Sequence, residues 1–375
     1  MKLKDFLSKE RPLVVYSEGA TYRPHLGPIA EEYGGRGYPV AYVTSEMADV
    51  HNPFVSPNIF SFYVGKGVRR TWFFQTVDCD VFLTTMPDLH QLHLKRSIHS
   101  VHYVYTQHSL NSLHMVYREG AFDSYDTIFA AGPHHVEEVL ALEKIRGTKS
   151  KNIVEQGYVF LDDLTREAHK DPPVATPDHN LGEKKTVLVA PSWGPNGLIE
   201  NYGEKTVRSL LDSGCDVILR PHPRTIQLYP KIVSRLTNTF SRHSQFEFDS
   251  SASPMSAYER SDVLVTSWSG AAFEYAMAFG KPVVHVDVPR KVRNPHYSEV
   301  PLEPFEVTHR GTFGASVPEE EIQHLGEHVL DVLKDLRDVS GNSELRQRPV
   351  TFSPGGGAKV AADYLLEFRT DTKRF

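Results

Sequence analysis

The residues best suited to chemistry fall in short stretches, each placed at the end of an apolar run. Thr266-Ser267-Trp268-Ser269-Gly270 follows Val263-Leu264-Val265 and leads into Ala271–Phe279, a segment of helical composition stopped by Gly280-Lys281-Pro282. A small, hydroxyl-rich turn at a helix start presents backbone N–H groups and the positive end of the helix dipole, which suits a phosphate. Ser267, Ser269 and the amides of Gly270 and Ala271 would donate to it, and Glu274, one helical turn further in, would accept from a ribose. Upstream, Val217-Ile218-Leu219 ends in Arg220-Pro221-His222-Pro223-Arg224, two guanidinium groups and an imidazole framed by prolines. A pyrophosphate needs donors and compensating charge together, and these two stretches supply both. The plainer alternatives are serines that only cap a helix and arginines paired with surface carboxylates. Ser192 and Trp193, in the loop after Thr186-Val187-Leu188-Val189-Ala190, join the same donor-binding set.

One further candidate lies far upstream. His108 directly follows the apolar run Ser100-Val101-His102-Tyr103-Val104-Tyr105, in Thr106-Gln107-His108-Ser109. An unpaired imidazole there titrates near neutral pH and suits a general base. His90, His93, His99, His102 and His114 are close in sequence, so a structural role is the alternative. His90 and His93 are three apart, yet neither a cysteine nor a second spaced pair completes a ligand set, and no metal site is expected. Asp78-Cys79-Asp80 precedes its strand rather than following it, so it is set aside as a metal motif. Gly34-Gly35-Arg36-Gly37 follows a helix and is not a dinucleotide fingerprint.

The elements that must position these groups read as strand–loop–helix repeats. In the first half, apolar strands are expected at 13–16, 40–43, 81–84, 100–105, 125–130 and from 153, with helices around Leu26, Ile29 and Ala30 and over 136–144; the stretch 53–67 shows no clear period. Residues 169–185, polar and proline-bearing, read as a linker. The second half gives strands at 186–190, 217–219, 263–265 and 283–286, with helices at 202–212, 230–242 and 271–279. Leu325, Val329 and Leu333 mark one face of a later helix, and a last helix follows Gly355-Gly356-Gly357. The expected division is therefore an N-terminal acceptor-side domain over 1–168, the linker, a nucleotide-donor domain over 186–345, and a helical segment over 346–375 that is free to cross back to the first domain. Two Rossmann-like parallel-sheet domains facing each other across a cleft are an α/β, GT-B-like architecture, in which ligands bind at the carboxyl ends of strands.

Composition bounds the function. The chain of 375 residues suits two α/β domains, and its 40% hydrophobic and 23% charged residues are ordinary for a soluble globular protein. A net charge of −6 argues against binding nucleic acid by bulk electrostatics. Cys79 and Cys215 each adjoin an apolar strand and read as small core residues, which fits a reducing, cytoplasmic setting. The first residues, MKLKDFLSKERP, have no apolar core of signal-peptide length; they read as a solvated helix, with a basic amphipathic helix on a membrane surface as the alternative.

Three stretches in this order and spacing, APSWGPNGLIENYG, VILRPHPR and SDVLVTSWSGAAFEYAMAFGKPVVHVDVPRK, resemble the CDP-glycerol glycerophosphotransferases of teichoic acid and capsule synthesis. The likeness runs from about Thr186 to Lys291 and is weaker over 106–132. There the family has a Trp-His-Gly-Thr-Pro type loop, and this chain keeps the histidine alone. The resemblance implies a GT-B fold, CDP-glycerol or a related CDP-polyol on the second domain, and catalytic roles for His108 and His222. It implies transfer of glycerol phosphate to a glycerol-phosphate, lipid-linked or glycan acceptor, with no cofactor; the expected location is the cytoplasm, with peripheral contact at the inner face of the membrane as the alternative. The long N-terminal region of the polymerases is not seen, which points to a primase-sized or minimal enzyme. The competing functions are a sugar transferase with a nucleotide-sugar donor, an NDP-sugar epimerase, and a non-catalytic nucleotide-binding subunit.

Overall fold

Strands that are apolar on both faces must be covered on both, and here apolar runs alternate with helices along the chain. The computed structural model describes residues 2–91, 94–170, 184–335 and 350–372 and forms two sheets in which every strand pair is parallel. The first contains β1 (Leu13–Ser17), β2 (Val40–Thr44), β3 (Ile59–Tyr63), β4 (Val81–Thr84), β5 (His102–Thr106), β6 (Thr127–Ala130) and β7 (Asn152–Glu155), in the order β3-β2-β1-β4-β5-β6-β7. The second contains β8 (Thr186–Val189), β9 (Asp216–Leu219), β10 (Phe246–Phe248), β11 (Val263–Thr266), β12 (Val283–Asp287) and β13 (Gly314–Pro318), in the order β10-β9-β8-β11-β12-β13. Each sheet reverses its winding once, between β1 and β4 and between β8 and β11. Such switch points are where parallel sheets open a crevice at their carboxyl ends.

The described residues fall into two compact units. One takes Met1–Asp163 with Arg293–Leu302 and Arg348–Phe375, the other Leu164–Val292 with Glu303–Gln347. In the first unit the stretch 53–67, without a legible period, contains edge strand β3. The helix Leu3–Glu10 is solvated over most of its surface, as expected, but buries Phe6 and Leu7. The Phe6 ring lies 4.7 Å from Phe60 and 5.5 Å from Phe62, so the helix covers that edge of the sheet. The last helix, Gly357–Thr372, also belongs here: Tyr364 Oη lies 2.7 Å from Thr127 Oγ1, and Arg36 pairs with Asp363 at 2.5 Å. The chain reaches that helix past Gly157, whose φ of 97° is glycine territory and where a Cβ would lie 2.2 Å from the Phe352 carbonyl oxygen. Of the expected linker, 171–183 lie outside the described residues, as do His93 and the boundary expected at 345.

The second core lies on strands Val187–Val189, Val217–Leu219, Val263–Val265 and Val283–Val286, covered by helices such as Leu198–Asp212 and Leu325–Asp335. Helix Ala271–Phe279 ends at Gly280, whose φ of 64° places it in the left-handed cap position with its N–H on the Ala276 carbonyl. Cys79 and Cys215 are buried free thiols, one in each unit's core.

Candidate functional site

In the first unit, β5 delivers His108 from the carboxyl end of the sheet, two strands from the switch point. The ring is not the unpaired imidazole expected from sequence. Nδ1 lies 3.2 Å from Tyr105 Oη and Nε2 3.3 Å from Tyr117 Oη, with the Tyr22 and His25 rings edge-on at 5.7 and 6.2 Å. A neutral imidazole has one donor and one acceptor nitrogen, so it matches one phenol as acceptor and the other as donor. Tyr105 is wholly buried, and burial, with the neighbouring Tyr117, pushes its hydroxyl well above the usual phenol range, so it remains a phenol. His25 is held well below the usual imidazole range, by burial and then by the charge of His108, and stays neutral.

The stretch after His108, which includes the short helix Leu113–Val116, is fixed from helix Pro133–Arg146. His134 Nε2 donates to the Leu110 carbonyl at 2.9 Å and His135 Nε2 to the Asn111 carbonyl at 3.0 Å. Glu138, also buried, accepts the Leu113 N–H and, at 3.3 Å, the His114 N–H. The segment after β12 adds Arg293 and Asn294, whose N–H groups donate to the Met115 carbonyl at 3.0 and 3.3 Å. Most of the histidine cluster is therefore structural: His102 bonds Thr127, His114 faces Glu138, and His90 Nδ1 accepts the Arg96 N–H. Asp80 pairs with Arg11, and the turn after β1 satisfies itself through Ser17 Oγ and Glu46.

In the second unit the switch point brings Ser192, after β8, to Ser267, after β11, with their hydroxyls 3.5 Å apart. Ser269 Oγ accepts the Ala271 N–H at 3.3 Å, so it caps the helix that Gly270 begins. Trp268 is pinned beneath the turn, its Nε1 donating to the Val288 carbonyl at 2.8 Å. His222 caps helix Pro223–Leu228: its Nδ1 accepts the Arg224 N–H at 3.0 Å, which leaves Nε2 to carry the proton of the neutral ring. Trp193 is a platform for this corner. His222 stands 6.1 Å from its ring, Lys291 Nζ 4.6 Å and the Arg224 guanidinium 6.0 Å.

Two expected donor-site residues are engaged elsewhere. Arg220 Nη1 pairs with Asp249 at 2.5 Å and donates to Ser251 Oγ at 2.9 Å. Burial opposes the Asp249 charge, but the Ser251 and Arg220 partners outweigh it and hold the carboxyl below its usual range. Much of the Arg220 charge is thus offset within the fold. Glu274 is 8% exposed and accepts the Tyr258 hydroxyl at 3.3 Å, facing the protein rather than open solvent. The sequence reading missed Tyr22, His25, Tyr105 and Tyr117 in the first unit, and Lys291, Arg290 and Arg310 in the second. For Arg290 and Lys291 a signal was present, because Pro289-Arg290-Lys291 follows an apolar strand just as Arg220–Arg224 does. Arg310, carried by a separate helix, had none.

Two all-parallel sheets, each with one switch point and polar groups gathered at the carboxyl ends of its strands, define the GT-B-like class of transferase folds. The profile of the CDP-glycerol:poly(glycerophosphate) glycerophosphotransferases matches residues 93–289, more than half of the chain, and the protein belongs to that family. Among solved structures it resembles the wall teichoic acid polymerase TagF, with a TM-score of 0.62 and 14% identity over 98% of this chain and 90% of that one. It also resembles the UDP-GlcNAc 2-epimerase of Methanocaldococcus jannaschii in complex with UDP-GlcNAc and UDP, with a TM-score of 0.54 and 12% identity over 95% and 99% of the two chains. At these identities the likeness establishes the fold. No curated protein matches the chain in sequence.

Proposed function

We propose that the protein transfers glycerol phosphate, or a related polyol phosphate, from CDP-glycerol to an acceptor hydroxyl in cell-wall teichoic acid or capsule synthesis. The observation that carries this reading is the family match over 93–289, which spans His108, His222 and the turn 267–271 together. The acceptor oxygen bonds to the β-phosphorus, the bond from that phosphorus to the bridging oxygen breaks, and CMP leaves with the electron pair. His108 takes the acceptor proton, with Tyr105 and Tyr117 orienting its ring. His222 donates from Nε2 to the phosphates, and Ser192, Trp193, Arg224, Ser267, Ser269, Gly270 and Ala271 hold the donor. Arg220 and Glu274 then act from behind, through Asp249 and Tyr258. Positioning and charge neutralisation dominate such phosphoryl transfers, and these residues supply both.

The setting proposed is the cytoplasm, with room for peripheral contact at the inner face of the membrane; among the described residues no helix is long and apolar enough to cross a membrane. The test is CMP release from CDP-glycerol in the presence of a glycerol-phosphate-terminated acceptor, followed by chromatography. Release that depends on acceptor supports the reading. No release with any acceptor, or turnover of UDP-GlcNAc alone, overturns it in favour of a non-catalytic subunit or an epimerase respectively.

A further inference from the structure

The turn 267–271 offers hydroxyls and amides, yet Arg220, the cation expected to serve it, is already paired with Asp249. A different cation lies against the tryptophan of the turn. Arg310 comes from helix Phe305–Phe313, which packs on the helix that the turn begins: the Phe273 ring is 4.8 Å from Phe305 and 5.7 Å from Phe313. This packing lays the Arg310 guanidinium over the Trp268 ring, 4.1 Å from its centroid, between the two turn serines in sequence. Arg290 approaches the same ring at 5.7 Å.

Arg310 is only 9% exposed, and its buried Nε has no hydrogen-bond partner among the described residues. Its one ion-pair partner among the described residues is Asp287, at 2.8 Å and 43% exposed. A buried guanidinium with an unused donor and a half-solvated counter-ion is poorly compensated, because desolvation weakens its hydration without replacing it. Burial, with a smaller contribution from the repulsion of Arg290, outweighs the opposing pull of Asp287 and lowers its affinity for its own proton. An anion beside Trp268 would repair each deficit at once, accepting from Nε and offsetting two positive charges where the described residues provide one half-exposed carboxylate.

We propose that Arg310 is a phosphate-binding residue of the donor site, gripping the second phosphate of a nucleoside diphosphate beside Trp268, with Arg290 as its exposed companion. The inference rests on the donor-site reading of the turn and deepens it: the site selects a diphosphate over a monophosphate, and Arg310 is the residue that does so. A guanidinium fork matches two phosphate oxygens at once, which an ammonium does not.

The experiment is calorimetric titration of the full chain with CMP and CDP, repeated with UMP and UDP, for wild type, Arg310→Gln, Arg310→Lys and Arg290→Gln. Thermal melting without nucleotide confirms that each variant is folded; the exposed Arg290→Gln keeps the test open should Arg310→Gln not fold. The wild type is expected to prefer the diphosphate. Arg310→Gln should lower the diphosphate-to-monophosphate affinity ratio about tenfold or more, the worth of a hydrogen bond to a charged group. Arg310→Lys should recover part of that ratio, and Arg290→Gln should lower it by a smaller factor. An unchanged ratio in folded Arg310 variants, with the wild type still binding diphosphate, overturns the role of Arg310 alone. An equal loss of mono- and diphosphate affinity also overturns it, since support of Trp268 and the turn would then be the whole effect. If the wild type binds neither CDP nor UDP, the inference falls together with the donor-site reading.

Discussion

The histidines of the two units stand in opposite surroundings. His108 is boxed by aromatic groups, with a tyrosine hydroxyl at each ring nitrogen and neutral His25 alongside. His222 is tied by a backbone amide at a helix start and stands near a tryptophan that Lys291 and Arg224 also approach. Phenols keep a ring oriented and ready to change protonation without adding fixed charge, which suits proton transfer. A ring whose Nδ1 accepts a backbone N–H carries its proton on Nε2, and a donor with cations nearby suits an anion. In the proposed reaction the same side chain serves two tasks, set by its neighbours.

Substitutions should separate these tasks. The largest effect is expected from His108→Ala, which lowers transfer by about two to four orders of magnitude and leaves donor affinity intact. Pre-steady-state CMP release at saturating acceptor measures the first and calorimetry the second. A chemical step of wild-type rate would return His108 to a structural role and remove the contrast. His222→Ala comes next, with turnover down about a hundredfold from the lost donor to developing charge. Wild-type CMP release in that variant would take His222 out of the site.

A third test uses the buried histidines that each unit holds neutral. His285 on β12 is pushed down to about 4, chiefly by burial and then by Arg310, while His25 is lowered in the first unit. Their folded pKa values lie below the unfolded one near 6.5, so the unfolded chain takes up the protons first. The stability that follows from keeping them neutral is complete above about pH 6.5 and is lost as the pH falls toward the folded values. Between pH 7 and pH 5, His285 alone should account for about 2 kcal/mol. Urea unfolding of wild type and His285→Gln at both pH values checks this, the variant losing less by that amount; parallel slopes would contradict it. The smallest effect is expected at the turn. Ser269→Ala should weaken CDP-glycerol binding by about 1 kcal/mol, one hydrogen bond, and unchanged affinity in both Ser267→Ala and Ser269→Ala would remove the phosphates from this turn.

What the sequence determined by itself was the frame and the places where chemistry can occur. Leu13–Ser17, Thr186–Val189 and Val263–Thr266 are legible because an apolar run ended by a turn is local information, and parallel pairing then puts all such ends on one edge. The alternation of β3 was lost because an edge strand is covered on part of its surface and carries a weaker pattern. Partnership was decided only by the tertiary structure. Nothing local in Arg220 announces Asp249, and nothing in Phe305–Phe313 announces that Arg310 will lie on Trp268. Nor does the run before His108 reveal that Tyr117 will close on its second nitrogen. Whether a cation keeps its charge for a ligand, or an imidazole its lone pair for a substrate, depends on groups a few ångströms away in space. Those groups are brought there by helix and sheet packing between segments far apart in the chain, and so no periodicity or motif records them.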